Sequence, residues 1–165
     1  MVARLIPAVA AALLIVGCQS PAPTAPPEAA VATATTPAVQ AAAFGTTLTV
    51  DSGAYTVANL RPVPVEAQII PAKGTMFAVD VTIAAQTGTV VYNGFYFVAR
   101  AQDGSTIAPA VGAVKPGITS GQLAQGQTID GHIAFDVPQG LSITQVALRD
   151  PKGKTLAVWG TGLSG

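Results

Sequence analysis

The chain has 165 residues, half of them hydrophobic but only 10% charged and 5% aromatic, a length suited to one domain. Eight basic and eight acidic residues cancel, which leaves no basic field to hold nucleic acid by counterion release. A single cysteine and a single histidine exclude an intrachain disulfide framework and a zinc site built from Cys and His ligands.

Residues 1–17 read as a secretory leader. Arg4 supplies the positive charge, and Leu5 to Val16 form an apolar core of 12 residues. As a helix that core spans roughly 18 Å, short of the ~30 Å hydrocarbon layer of a bilayer, so it is a signal region and not a transmembrane helix. It ends in Leu14-Ile15-Val16-Gly17-Cys18, which resembles the bacterial lipobox. There the cysteine sulfur takes diacylglycerol and the leader is cut just before it, which requires a small residue at position 17. Lipidation at Cys18 and cleavage between Gly17 and Cys18 are therefore expected. The protein is then held on the outer side of the cell membrane, or in a two-membrane cell at the outer membrane, a destination that Gln19 favours over Asp.

Residues 18–43 read as the lipidated Cys and a disordered linker. From 19 to 43 there are ten Ala, five Pro and four Thr, with Glu28 the one charge. The prolines forbid a continuous helix and favour extended polyproline II, while Val39 to Ala43 suits at most a transient helical turn.

From residue 44 to 165 the hydrophobic period is two. Thr46 to Val50 and Ala54 to Leu60 are early strands, and Val63 to Ile70, broken by Pro64, is an edge or irregular crossing. In Thr75 to Ile83 the alternation places Phe77, Val79, Val81 and Ile83 inward and Met76, Ala78, Asp80 and Thr82 on a wet face. Val90 to Tyr92 and Phe95 to Ala99 are strand-like, and Asn93-Gly94 between them suits a two-residue I′ hairpin. Gln102 to Ser105 and Asp150 to Gly153 are turns, and Gly112 to Gly126 is the longest loop. In Thr128 to Val137, Ile129, Gly131, Ile133, Phe135 and Val137 point inward until Pro138 ends the strand. Ile143 to Arg149 then pairs with Thr155 to Trp159. The pattern predicts an all-β, immunoglobulin-like antiparallel β-sandwich of about seven to eight strands.

The run Gly121 to Pro138, with its Gly126-Gln127, Gly131 and Phe135-Asp136-Val137, is similar to the immunoglobulin-like domains of secreted and lipid-anchored actinobacterial proteins, including the mycobacterial secreted immunogenic β-sandwich antigens. In those domains it is followed by a closing strand ending Leu-x-x-Trp, here Leu156 to Trp159. Phe77 to Ile83 matches their central strand, although Ala84-Ala85 stands where Asn is common. The resemblance covers about residues 53–160 and implies an envelope-exposed, non-catalytic domain.

The residues give little material for catalysis. His132 shares an outward face with Asp130 and Asp136, but same-face neighbours stand about 7 Å apart. A solvated polar face is thus expected, without a metal. No serine has a Gly-x-Ser-x-Gly context, and no glycine-rich loop opens a helix, so neither an enzyme nor a cofactor is expected. Tyr92 and Tyr96 are the candidate binding residues, with Tyr55 a further contributor. The expected function is a lipid-anchored domain that binds an envelope or host protein. The alternative is a carrier that grips a small hydrophobic ligand or lipid between its sheets.

Overall fold

The computed structural model describes residues 38–163; the expected leader, Cys18 and the linker as far as residue 37 lie outside them. Among the described residues eleven strands follow in chain order. β1 (Gln40–Ala43), β2 (Thr47–Val50) and β3 (Gly53–Pro62) precede a crossing that contains a 3₁₀ turn at Val65–Ala67. β4 (Thr75–Ala85) and β5 (Val90–Asn93) lead to a second 3₁₀ turn at Gly94–Tyr96, then to β6 (Phe97–Ala101) and β7 (Thr106–Ile107). β8 (Ser120–Leu123), β9 (Thr128–Val137), β10 (Ile143–Arg149) and β11 (Thr155–Gly160) complete the chain. No helix among the described residues is long and apolar enough to cross a membrane.

One sheet has the order β1-β11-β10-β6-β7 and the other β2-β3-β4-β9, with β5 and β8 forming a two-stranded ribbon. The inner faces meet as the alternation dictates. Val57, Val81, Ile83, Ile133 and Phe135 pack with Phe97, Ala99, Val146, Leu148 and Trp159 in one cluster. This is an immunoglobulin-like β-sandwich. The space between its sheets is filled by Trp159, Phe97 and Phe135, each at most 1% exposed. A hydrophobic ligand carried there would have to displace those side chains.

Four expectations are corrected. The strand count exceeds seven or eight because β1 forms in the expected linker, the short β7 follows the Gln102–Ser105 turn, and β8 forms within the expected Gly112–Gly126 loop. The linker does not run to residue 43: Gln40–Ala43 pair with Ala157–Gly160, and do so in parallel, so the sandwich is not wholly antiparallel. Four residues of high helix propensity become a strand because an open edge of the sheet offers ladder bonds that an isolated helical turn cannot match. Nor do Val90–Tyr92 and Phe95–Ala99 form a hairpin. β5 pairs with β8, and β6 pairs with β10 and β7.

The reason lies at Asn93, which is extended (φ −151°) and whose side chain accepts from the Phe95 N–H, capping the 3₁₀ turn. An I′ turn needs positive φ at both central residues. Gly94 serves close approach instead: a Cβ there would lie 2.5 Å from the Ile118 carbonyl oxygen. Lastly, Met76 and Ala78 do not face water. They lie on the outer side of their sheet yet are buried with Ala113, Val114 and Ala134, because the segment before β8 folds over that face.

Candidate functional site

Tyr96 ends the 3₁₀ turn that carries the chain from the β5 ribbon into β6, and this places it beside an open groove at the edge of the sandwich. The groove has a volume of about 410 Å³, and Val50, Tyr55, Val91, Leu148 and Leu156 form its apolar wall with Tyr96. Val91 is exposed, as is Phe95, the chain neighbour of Tyr96, at 64%. Phe95 is exposed while Phe97 is buried, because a 3₁₀ turn does not alternate as the expected strand over Phe95 to Ala99 would. Tyr92 is not part of the groove. It packs against the core, and its hydroxyl occupies the space where a Gly121 Cβ would stand. The expected pair thus divides, and Tyr55 takes the place of Tyr92.

The polar side of the groove is formed by Asp51, Arg149 and Asp150. Asp51 occupies the left-handed region (φ 51°) in the β2–β3 turn. Burial raises the Tyr55 hydroxyl above its ordinary range, and the Asp51 charge raises it further, so the phenol stays a neutral donor. Asp150 is held by the backbone N–H groups of Lys152 and Lys154, at 2.9 and 2.8 Å. Among the described residues the Arg149 Nε is buried with no hydrogen-bond partner. The groove thus offers an apolar floor, two phenols and the Arg149 side chain, a set suited to recognition. Asp51 and Arg149 carry no periodic sequence signal, since one lies in a turn and the other at a strand end.

A second polar cluster lies on the outer face of the other sheet. One extra residue in β3, between Ala58 and Arg61, makes a β-bulge, with Asn59 left-handed at φ 50°. The bulge turns both neighbours onto Asp80. Arg61 Nη1 donates to Asp80 Oδ1 at 2.7 Å, and Asn59 Nδ2 donates to Oδ2 at 2.8 Å. His132, the cross-strand partner of Asp80, has its Nδ1 2.8 Å from Oδ1 but off the line a hydrogen bond needs. His132 does share its outer face with Asp130 and Asp136 along β9, but neither carboxylate is its partner. Asp130 accepts from the Thr82 hydroxyl, and Asp136 from the backbone N–H groups of Lys73 and Gly74. Among the described residues no three His, Cys, Asp or Glu side chains gather where they could hold a metal ion.

Partial burial acts to raise the Asp80 carboxyl. Hydrogen bonds from Asn59 and Arg61 outweigh it, with the charges of Arg61 and His132, and hold the group below the usual carboxylate range. A carboxyl depressed in the folded state stabilises that state above its unfolded value of about 3.9, and the advantage is lost as the pH falls through the folded value. Asp80→Asn is therefore expected to be less stable than the parent at neutral pH. The loss is held to about 1 kcal/mol or less because the carboxylate is one-third exposed. Urea titrations from neutral pH downward should show the two proteins converging below about pH 4; a constant gap would contradict the assignment.

A family model described as "Domain of unknown function (DUF1942)" matches residues 37–159. The chain belongs to this family. The DUF1942 match begins just before β1 and ends on Trp159, so its limits are those of the sandwich described here. Among curated proteins none matches the chain.

MPT63, a secreted protein from Mycobacterium tuberculosis, is 25% identical with a TM-score of 0.66, and the match covers 74% of this chain and 98% of that one. The yjhA protein from Bacillus subtilis is 15% identical with a TM-score of 0.51, covering 65% and 81%; its likeness is one of fold alone. The DUF1942 domain of this chain is an immunoglobulin-like β-sandwich similar to MPT63, as Phe77–Ile83, Gly121–Pro138 and Leu156–Trp159 lead one to expect.

Proposed function

We propose that the chain is a lipid-anchored protein of the cell envelope, facing outward, whose domain is a non-catalytic interaction module that receives a protein partner in the Tyr55–Tyr96 groove. The observation that carries the anchor is Leu14-Ile15-Val16-Gly17-Cys18, where the sole cysteine follows an apolar leader and a small residue. The secreted character of MPT63 supports an extracytoplasmic position.

The groove supports the module. Aromatic side chains and arginine are the groups that dominate protein interfaces, and the groove presents Tyr55, Tyr96 and Arg149. The sole histidine, the one side chain with an unperturbed pKa near neutrality, is not among its lining residues. The carrier reading has no comparable support, since aromatic side chains occupy the interior it would use.

The test is a photoreactive phenylalanine analogue at Tyr96, irradiated in cells beside one at Gln139, an exposed position in the β9–β10 turn. A discrete adduct from position 96 and none from position 139 is the expected result. Equal labelling at both, or none at 96, would sink the groove as the binding site.

A further inference from the structure

The crossing between β3 and β4 presents Val65 at 77% exposure, Ile69 at 51% and Ile70 at 52%. We propose that this loop is a lipid-docking element, whose three aliphatic side chains enter the interface of a bilayer that carries anionic lipid. The proposal rests on the anchored reading only in that the anchor would bring the domain to a membrane.

Three observations select a bilayer. The first is that the loop is clamped. Gln68 Nε2 donates to the Val63 carbonyl at 3.0 Å, while its Oε1 accepts from the Ala72 N–H at 3.0 Å. One side chain thereby ties the two ends together and holds the aliphatic tips outward.

The second is that much of the backbone is satisfied internally. The N–H groups of Val63, Ala67, Gln68 and Ile69 donate to Met76, Pro64, Val65 and Ala113 carbonyls at 2.8–3.1 Å. Those of Lys73 and Gly74 donate to Asp136, and Pro62, Pro64 and Pro71 have no N–H to satisfy. A loop that enters lipid loses several kcal/mol for each backbone group left open, so this pairing lowers the cost of entry.

The third is chemical character. The tips are aliphatic with no aromatic among them, whereas protein hot spots favour Trp, Tyr and Arg and under-use Val. Arg61 and Lys115 line a small cavity together with Pro64 and Ala67 of the loop, and Lys73 follows it in the chain. Arg61 is held by Asp80, which leaves Lys115 and Lys73 as the charges near the apolar tip that suit an anionic surface. Glu66 opposes that attraction, which makes it a useful probe of orientation.

The test uses the chain from residue 18 with Cys18→Ser, so that no acyl chain contributes and a failed anchor cannot be mistaken for a failed loop. It is sedimented with vesicles of phosphatidylcholine containing phosphatidylglycerol, and with phosphatidylcholine alone. Stronger partition into the anionic vesicles is expected. Ile69→Ser with Ile70→Ser should weaken it by about tenfold or more, and Glu66→Lys should strengthen it by about tenfold in anionic vesicles only. Because all three positions are exposed, unchanged melting of each variant shows that folding is intact. Absence of partition into either vesicle, or partition unchanged in the double serine variant, would overturn the proposal.

Discussion

Trp159→Ala is expected to cost the domain about 3–5 kcal/mol, out of a total that for an ordinary domain is about 5–15 kcal/mol. The indole is fully buried at the centre of the cluster that joins the two sheets. Its strand neighbours are Ala42 of β1 on one side and Val146 of β10 on the other, so the vacated space opens beneath the parallel edge. The side chain also carries a hydrogen bond, since Nε1 donates to the Thr46 carbonyl at 2.8 Å. Thr46 lies where the chain leaves one sheet for the other, and the bond fixes that crossing.

Two variants separate these contributions. Trp159→Phe keeps most of the volume but leaves the Thr46 carbonyl unpaired, and should lose about 1–3 kcal/mol. Urea unfolding followed by circular dichroism reads both. An alanine variant within about 1 kcal/mol of the parent would mean that Trp159 does not hold the core as described.

The closing strand was readable because its burial follows alternation alone. Ala157 and Trp159 face the core with period two, as do Ile133, Phe135 and Val137 in β9. Asp150 to Gly153 was readable for a different reason: an Asp carboxylate that accepts from the following backbone N–H groups, with a left-handed Gly153, is a local device complete within five residues.

What failed depended on partners remote in sequence. His132 meets Asp80 across a strand pair, and Asp80 meets Arg61 through a bulge that its own periodicity does not announce. Asn93-Gly94 has hairpin chemistry, but the competing cap and the close approach to Ile118 decide its conformation. The β1 segment is poor in strand formers and pairs only because β11 leaves an edge free. Tyr96 reaches the groove through a 3₁₀ turn, which the strand-like pattern of Phe95 to Ala99 does not announce. Its partners in the groove come from the β2–β3 and β10–β11 ends, which no local pattern connects.

The second large effect concerns Cys18. Each buried CH₂ of an acyl chain contributes about 0.8 kcal/mol, so one chain holds a protein only marginally and several hold it durably. Removing the thiol removes all of them at once, while the exposed loop at Val65, Ile69 and Ile70 supplies at most weak, reversible contact. Cys18→Ser is therefore expected to change the protein from membrane-retained to largely released, without altering the fold of residues 38–163.

The most direct measurement fractionates cells that express the native gene beside cells that express Cys18→Ser, with the intact mass taken for the membrane-extracted protein. The expected native chain begins at Cys18, is heavier by its acyl chains and stays with the membrane, while the variant leaves it. A native chain found unmodified and free in the medium would contradict the anchor.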